Sequence, residues 1–190
     1  MTRTICEGEF CILNTKKRIF YTVALIIIFI SGIGSVYIYS NYPIKNNKTD
    51  IQHHLSQDWY GSPEVSVTMI PDSLSVKRLG TSDTYIATFQ LGKQPSAAVL
   101  KRGINGRLKN LGISTGSALV TYESVETSEG FYGIIHGVNP DEVIDTIQID
   151  LQGTSLSYTM NAPNEPYFTF IKQLPSDIEE QTYANIYLFG

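Results

Sequence analysis

The side chains able to do acid–base, nucleophilic or metal chemistry are few and scattered. His53 and His54 are adjacent, with Asp50 and Asp58 nearby, a composition that invites a metal site. Neighbouring residues on a helix point about 100° apart, so one ion does not readily take both imidazoles. Only Asp50 with His54, or His54 with Asp58, share a helix face, and two ligands are not a site. His136, in FYGIIHGV, is the base that a serine or acid nucleophile would need. Gly112-Ile113-Ser114-Thr115-Gly116 has G-x-S-x-G spacing, but it lies between two strand-like runs rather than at the strand-to-helix turn of a nucleophile elbow, and both thiols, Cys6 and Cys11, lie before a long apolar run. The acid pairs Asp141-Glu142 and Glu179-Glu180 lack EF-hand spacing or a sugar-stacking aromatic pattern. Gly103-x-x-Gly106 lacks the Lys-Ser/Thr and helix of a phosphate loop, so no cofactor is expected.

One charged constellation does have a pattern. Beyond Ser40 there are 10 Lys/Arg against 16 Asp/Glu, and from Asn110 onward Lys172 is the only base among 11 acids. Lys93, Lys101, Arg102, Arg107 and Lys109 make up half of the bases in that part of the chain. Four of them, Lys101, Arg102, Arg107 and Lys109, flank Asn105-Gly106, whose residue types suit a two-residue hairpin turn with positive φ at both central positions. The expectation is a positive edge on a negative body. Its partner would be an anionic lipid surface or a wall polymer. General nucleic-acid binding is not expected, because that needs a dominant basic face.

The element that must position everything else is Ile19 to Tyr39, which contains no charged residue. As a helix it spans roughly 30 Å, the hydrocarbon thickness of a bilayer. It is longer than a signal-peptide core and ends in Tyr37, Tyr39 and Tyr42 without a small-residue cleavage pattern, so an uncleaved anchor is expected. Phe20 and Tyr21 at one end and Tyr37 and Tyr39 at the other suit the two interfacial belts, and Lys16, Lys17 and Arg18 place the N-terminus in the cytoplasm. Ser31 and Ser35, with Gly32 and Gly34, form a small-residue stripe through which two helices could approach. Cys6 and Cys11 would stay reduced and unmodified, since two thiols make an incomplete zinc site. The Asn47-Lys48-Thr49 sequon is read as chance.

Residues 1–18 then form a disordered cytoplasmic tail, 19–39 the transmembrane helix, 40–63 a tether and short helix, and 64–190 an all-β extracytoplasmic domain. Thr49 with Gln52 resembles a capping box, Ile51, Leu55 and Trp59 recur on one helical face, and Gly61-Ser62-Pro63 stops the helix. Alternating or compact apolar runs predict strands at 64–70, 84–91, 118–125, 131–138, 145–151, 155–160, 167–174 and 185–189, with VLKRGI and RLKNLGI forming the basic hairpin. Turns fall at Pro71-Asp72, at 80–83 and at Asn139-Pro140-Asp141. The fold class is a single N-terminal transmembrane helix plus a mainly-β ectodomain, an antiparallel sandwich or small barrel. With no thiol in it, that domain must hold by packing and hydrogen bonds, which suits a bacterial envelope.

Gly130 to Ile135, Asn139-Pro140, Val143 to Asp150 and Tyr167 to Phe170 together resemble uncharacterised single-pass membrane proteins of low-GC Gram-positive bacteria, which carry a small β-rich extracytoplasmic domain on a short-tailed anchor. The resemblance implies that architecture and no activity. The expected function is non-enzymatic binding in the cell envelope, with a wall-polymer hydrolase built on His136 as the runner-up. A third possibility is an accessory subunit that joins another membrane protein through its helix.

Overall fold

The computed structural model describes residues 8–59, 73–178 and 181–190. It divides into two compact units, residues 1–41 and 42–190. Cys6, the predicted strand at 64–70, the Gly61-Ser62-Pro63 stop, the Pro71-Asp72 turn and Glu179-Glu180 lie outside the described residues.

The first unit is built on one helix, α1 (Gly8–Asn41). Its stretch Ile19–Asn41, 23 residues, is long and apolar enough to cross a membrane. Ile28, Phe29 and Val36 are largely exposed on it. The helix extends back to Gly8, so much of the tail expected to be disordered is helical, and Lys16, Lys17 and Arg18 fall within it. The helix needs few internal polar partners. The Ser35 hydroxyl donates to the Ser31 carbonyl at 2.8 Å, which satisfies it within the helix.

The second unit stacks a short helix and three antiparallel sheets. The elements are α2 (Lys48–Trp59), then β1 (Ser75–Arg78), β2 (Thr84–Leu91), β3 (Gln94–Arg102), β4 (Leu108–Thr115), β5 (Val120–Thr127), β6 (Gly130–Val138), β7 (Thr146–Leu151), β8 (Ser157–Asn161), β9 (Tyr167–Gln173) and β10 (Ala184–Phe189). The sheets have strand orders β1-β2-β3-β4, β5-β6-β9 and β10-β7-β8. They form a layered sandwich with open edges rather than a closed barrel.

Side-chain alternation assigns each face. Tyr85, Ala87, Phe89 and Leu91 on β2, with Ala98 and Leu100 on β3, pack with Ile51 and Leu55 of α2. Ile86 and Ala97, on the opposite face, meet Val125, Tyr132 and Ile134 of the middle sheet. The other face of that sheet, with Ile135 and Phe168, packs on Ile147, Ile149 and Leu151 of the third sheet. The middle sheet is therefore covered on both sides. Its central strand β6 is buried without a break from Tyr132 to Val138, and the sequence there reads as a compact apolar run rather than an alternation.

Two local expectations are corrected. The cap of α2 is Asn47, whose Oδ1 accepts from the Asp50 amide at 2.8 Å, rather than Thr49, because helical geometry already begins at Lys48. The segment expected to be a free tether is stitched into the domain. Ile44, 1% exposed, exchanges two backbone hydrogen bonds with Leu108, at 3.1 and 2.7 Å, and so adds one residue of strand to the edge of β4.

Candidate interaction surface

The basic hairpin joins β3 to β4 through Gly103 to Arg107. The Gly106 amide donates to the Gly103 carbonyl at 3.0 Å and the Gly103 amide to Arg107 at 2.8 Å. Gly106 alone takes positive φ, +74°, so the loop is a three-residue turn with a glycine bulge. The expected two-residue turn is corrected on this point. Asn105 keeps ordinary φ and uses its Oδ1 to accept the Arg107 amide at 3.1 Å. Gly103 is fixed by contact. A Cβ there would stand 2.8 Å from the ring of Tyr42.

The four predicted site residues fall into two roles. Arg107 is tied down: its Nε donates to the Tyr42 carbonyl at 2.9 Å and its Nη2 to the Pro43 carbonyl. Lys101 lies 3.6 Å from the Asp83 carboxylate, both about half exposed. It also stands directly opposite Lys109 in the strand register, a like-charge pair that costs stability where it occurs. Arg102 pairs in register with buried Leu108 and points to the other face. Arg102 and Lys109, both exposed, form no ion pair among the described residues. At the tip, Ile104 is 90% exposed.

Asp50 completes the local electrostatics. The Lys45 amide donates to its Oδ2 at 2.5 Å. That bond first, and then the charges of His54, Lys45 and Arg107, hold the carboxyl below its ordinary range. His54 sits 3.7 Å from Asp50, the four-residue pairing anticipated from spacing. Among the described residues no three His, Cys, Asp or Glu converge as for a metal ion.

A second polar group lies between the first two sheets, built on His136 and on Ser114, the serine of the G-x-S-x-G run, which sits on strand β4 rather than at a strand-to-helix turn. His136 is completely buried, with Nε2 3.3 Å from Glu123 Oε1. The Ser114 hydroxyl, on β4, donates to the same carboxylate oxygen. Burial works to raise the Glu123 pKa, but the hydrogen bonds from His136 and Ser114 and the nearby imidazole outweigh it and leave the carboxyl below its usual range. The Nδ1 of His136 makes no hydrogen bond. Across the same layer the Tyr167 hydroxyl lies beside Thr88 and Thr169, which bond each other at 2.7 Å, without a hydrogen bond of proper geometry of its own. Burial pushes its pKa up to about 12.

The carboxylate accepts from both Ser114 and His136, so the serine is not held by the imidazole as a nucleophile–base pair requires. Glu123 had a sequence signal: the alternation in TYESVET puts it on the inward face with Val125. Two open grooves flank this layer. One, of 450 Å³, has Glu123, Glu126, Leu111 and Tyr183 in its lining. The other, of 660 Å³, is lined in part by Lys77, Gln90 and Tyr167. Comparison with protein-family models, with curated proteins and with solved structures found no match.

Proposed function

We propose that the chain is a single-pass membrane protein, cytoplasmic at its N-terminus, whose β unit works on the outer side of a bacterial cell membrane by binding an anionic envelope component. The anchor reading rests on the 23-residue apolar span and on the Lys16-Lys17-Arg18 flank. Binding is favoured over wall-polymer hydrolysis by one observation. His136, the only histidine in the β unit's sheets, is sealed at 0% exposure, and its partner Glu123 is held ionised, a poor proton donor. The binding residues are Lys101, Arg102, Arg107 and Lys109, and the partner is anionic lipid or wall polymer.

Protease added to intact, wall-stripped cells should remove the β unit and leave a short membrane-held fragment. Full protection would reverse the topology. Affinity capture from mildly solubilised membranes distinguishes an accessory-subunit role, in which a second membrane protein is retained after the β unit has been cut away.

A further inference from the structure

We propose that the β3–β4 hairpin docks on the anionic bilayer that carries the protein's own anchor, with Ile104 entering the interfacial zone and the flanking bases meeting lipid phosphates. This rests on the anchored reading above and names the source of the anionic groups.

The first support is the tip itself. A turn ordinarily displays polar residues, yet this one presents an isoleucine at 90% exposure between Gly103 and Asn105. A single exposed apolar side chain means little alone. Here it stands ahead of bases on both faces of the hairpin, Lys101 and Lys109 on one and Arg102 on the other. An apolar tip behind which cations are spread is the composition of an interfacial membrane element, because the tip leaves water while the cations stay among headgroups.

The second support is chain connectivity. Arg107 grips the carbonyls of Tyr42 and Pro43, and Ile44 is bridged to Leu108. Asn41 is the last residue of α1. Two residues of chain reach at most roughly 7 Å, so the base of the hairpin cannot be far from where the helix ends, whatever the orientation of the two units. Tyr37, Tyr39 and Tyr42 are the aromatic types that mark a membrane–water boundary. Exposed Lys45 and Lys48 add positive charge close in sequence to the same bridge.

Charge distribution supplies the third support. The bases gather on this hairpin, while the chain from Asn110 onward has one base against 11 acids. An anionic surface attracts the hairpin and repels the rest, which selects one way of approach.

The test uses the full chain, with Cys6 and Cys11 changed to Ser, reconstituted in phosphatidylcholine vesicles with and without phosphatidylglycerol. A bimane label is placed at Ile104→Cys and, as a control, at Ser155→Cys in the exposed β7–β8 turn. With phosphatidylglycerol the label at 104 should be quenched by nitroxide lipids and shielded from aqueous iodide, and the label at 155 should show the reverse. The shielding should disappear at high salt and in the Lys101→Gln, Arg102→Gln, Lys109→Gln triple variant, which spares Arg107 so that the strap at residues 42–44 remains. Equal iodide quenching at 104 in both vesicle types overturns the proposal, as does shielding produced by purified wall polymer but not by lipid. Carbonate extraction of the same vesicles separates the two readings. A chain retained in the bilayer but wet at 104 refutes only the docking, whereas a chain released by carbonate refutes the anchor as well.

Discussion

Glu123 Oε1 lies 3.3 Å from His136 Nε2, joining a carboxylate at the rim of a groove to an imidazole with no exposed surface. The same oxygen takes the Ser114 hydroxyl from the neighbouring sheet, so one acid links β4, β5 and β6. An ionised acceptor at such a junction ties folding to proton concentration.

The folded-state pKa of Glu123 is lowered from 4.5, so the unfolded chain binds its proton more readily than the native one. The resulting stabilisation is complete above the unfolded value and is lost as pH falls through the lower folded value. Glu123→Gln should therefore melt below wild type at about pH 7, with the gap closing as the pH drops below the ordinary glutamate range. Melting curves over that range check this. A constant gap would show that the loss is one of shape rather than charge.

Tyr167 offers the opposite case. Its buried hydroxyl has no well-formed hydrogen bond, so removing it abolishes a desolvation cost without breaking a partner. Tyr167→Phe should leave the melting temperature unchanged or raise it. In wild type, one tyrosine should resist ionisation until about pH 12, visible as a late step in ultraviolet titration. Complete titration near pH 10 in the folded protein would contradict the burial.

Arg107→Ala should destabilise the second unit by about 1.5–3 kcal/mol, the range for hydrogen bonds to a charged group. Arg107→Lys should recover only part of this, because an ammonium cannot span the two carbonyls as the guanidinium fork does. Denaturant unfolding gives the magnitude. Hydrogen exchange at the Ile44 and Leu108 amides should accelerate in both variants, and unchanged protection there would mean that the bridge does not depend on Arg107.

Residues 42–190 produced alone should fold, since that unit is compact by itself and contains no cysteine. The far-ultraviolet spectrum should be dominated by strand, with a cooperative melt that reductant and chelator leave unmoved. Chelator-induced melting would reveal a structural metal.

Among the described residues, strands were legible where the sequence alternates or runs apolar. Thr84–Leu91 is reproduced with the bounds anticipated, and Phe131 to Val138 to within one residue. The start of β3 was not, because Gln94-Pro95-Ser96-Ala97-Ala98 is poor in strand formers. Those small residues are there for thickness: Ala97 and Ala98, both at most 1% exposed, let layers on either face come close. Ile44 was hidden in a polar segment, since its partner Leu108 is remote in sequence. Tertiary pairing also decided the basic residues. Their types and spacing were readable, but the partners that divide Arg107 and Lys101 from Arg102 and Lys109 are Tyr42, Pro43 and Asp83, far from them along the chain.

The Ile44–Leu108 bridge also has a mechanical meaning. Tension applied between a fixed helix and a captured β unit enters that unit at Tyr42, and the first bonds along its path are the Arg107 contacts and the two amide bonds of the bridge. Ile44 is itself a buried member of the core under α2, so stripping residues 42–47 from the edge of β4 would break these bonds and uncover one side of that core in the same step. A pull at Tyr42 would therefore meet core packing as well as hydrogen bonds, and slack would come only once that core has opened.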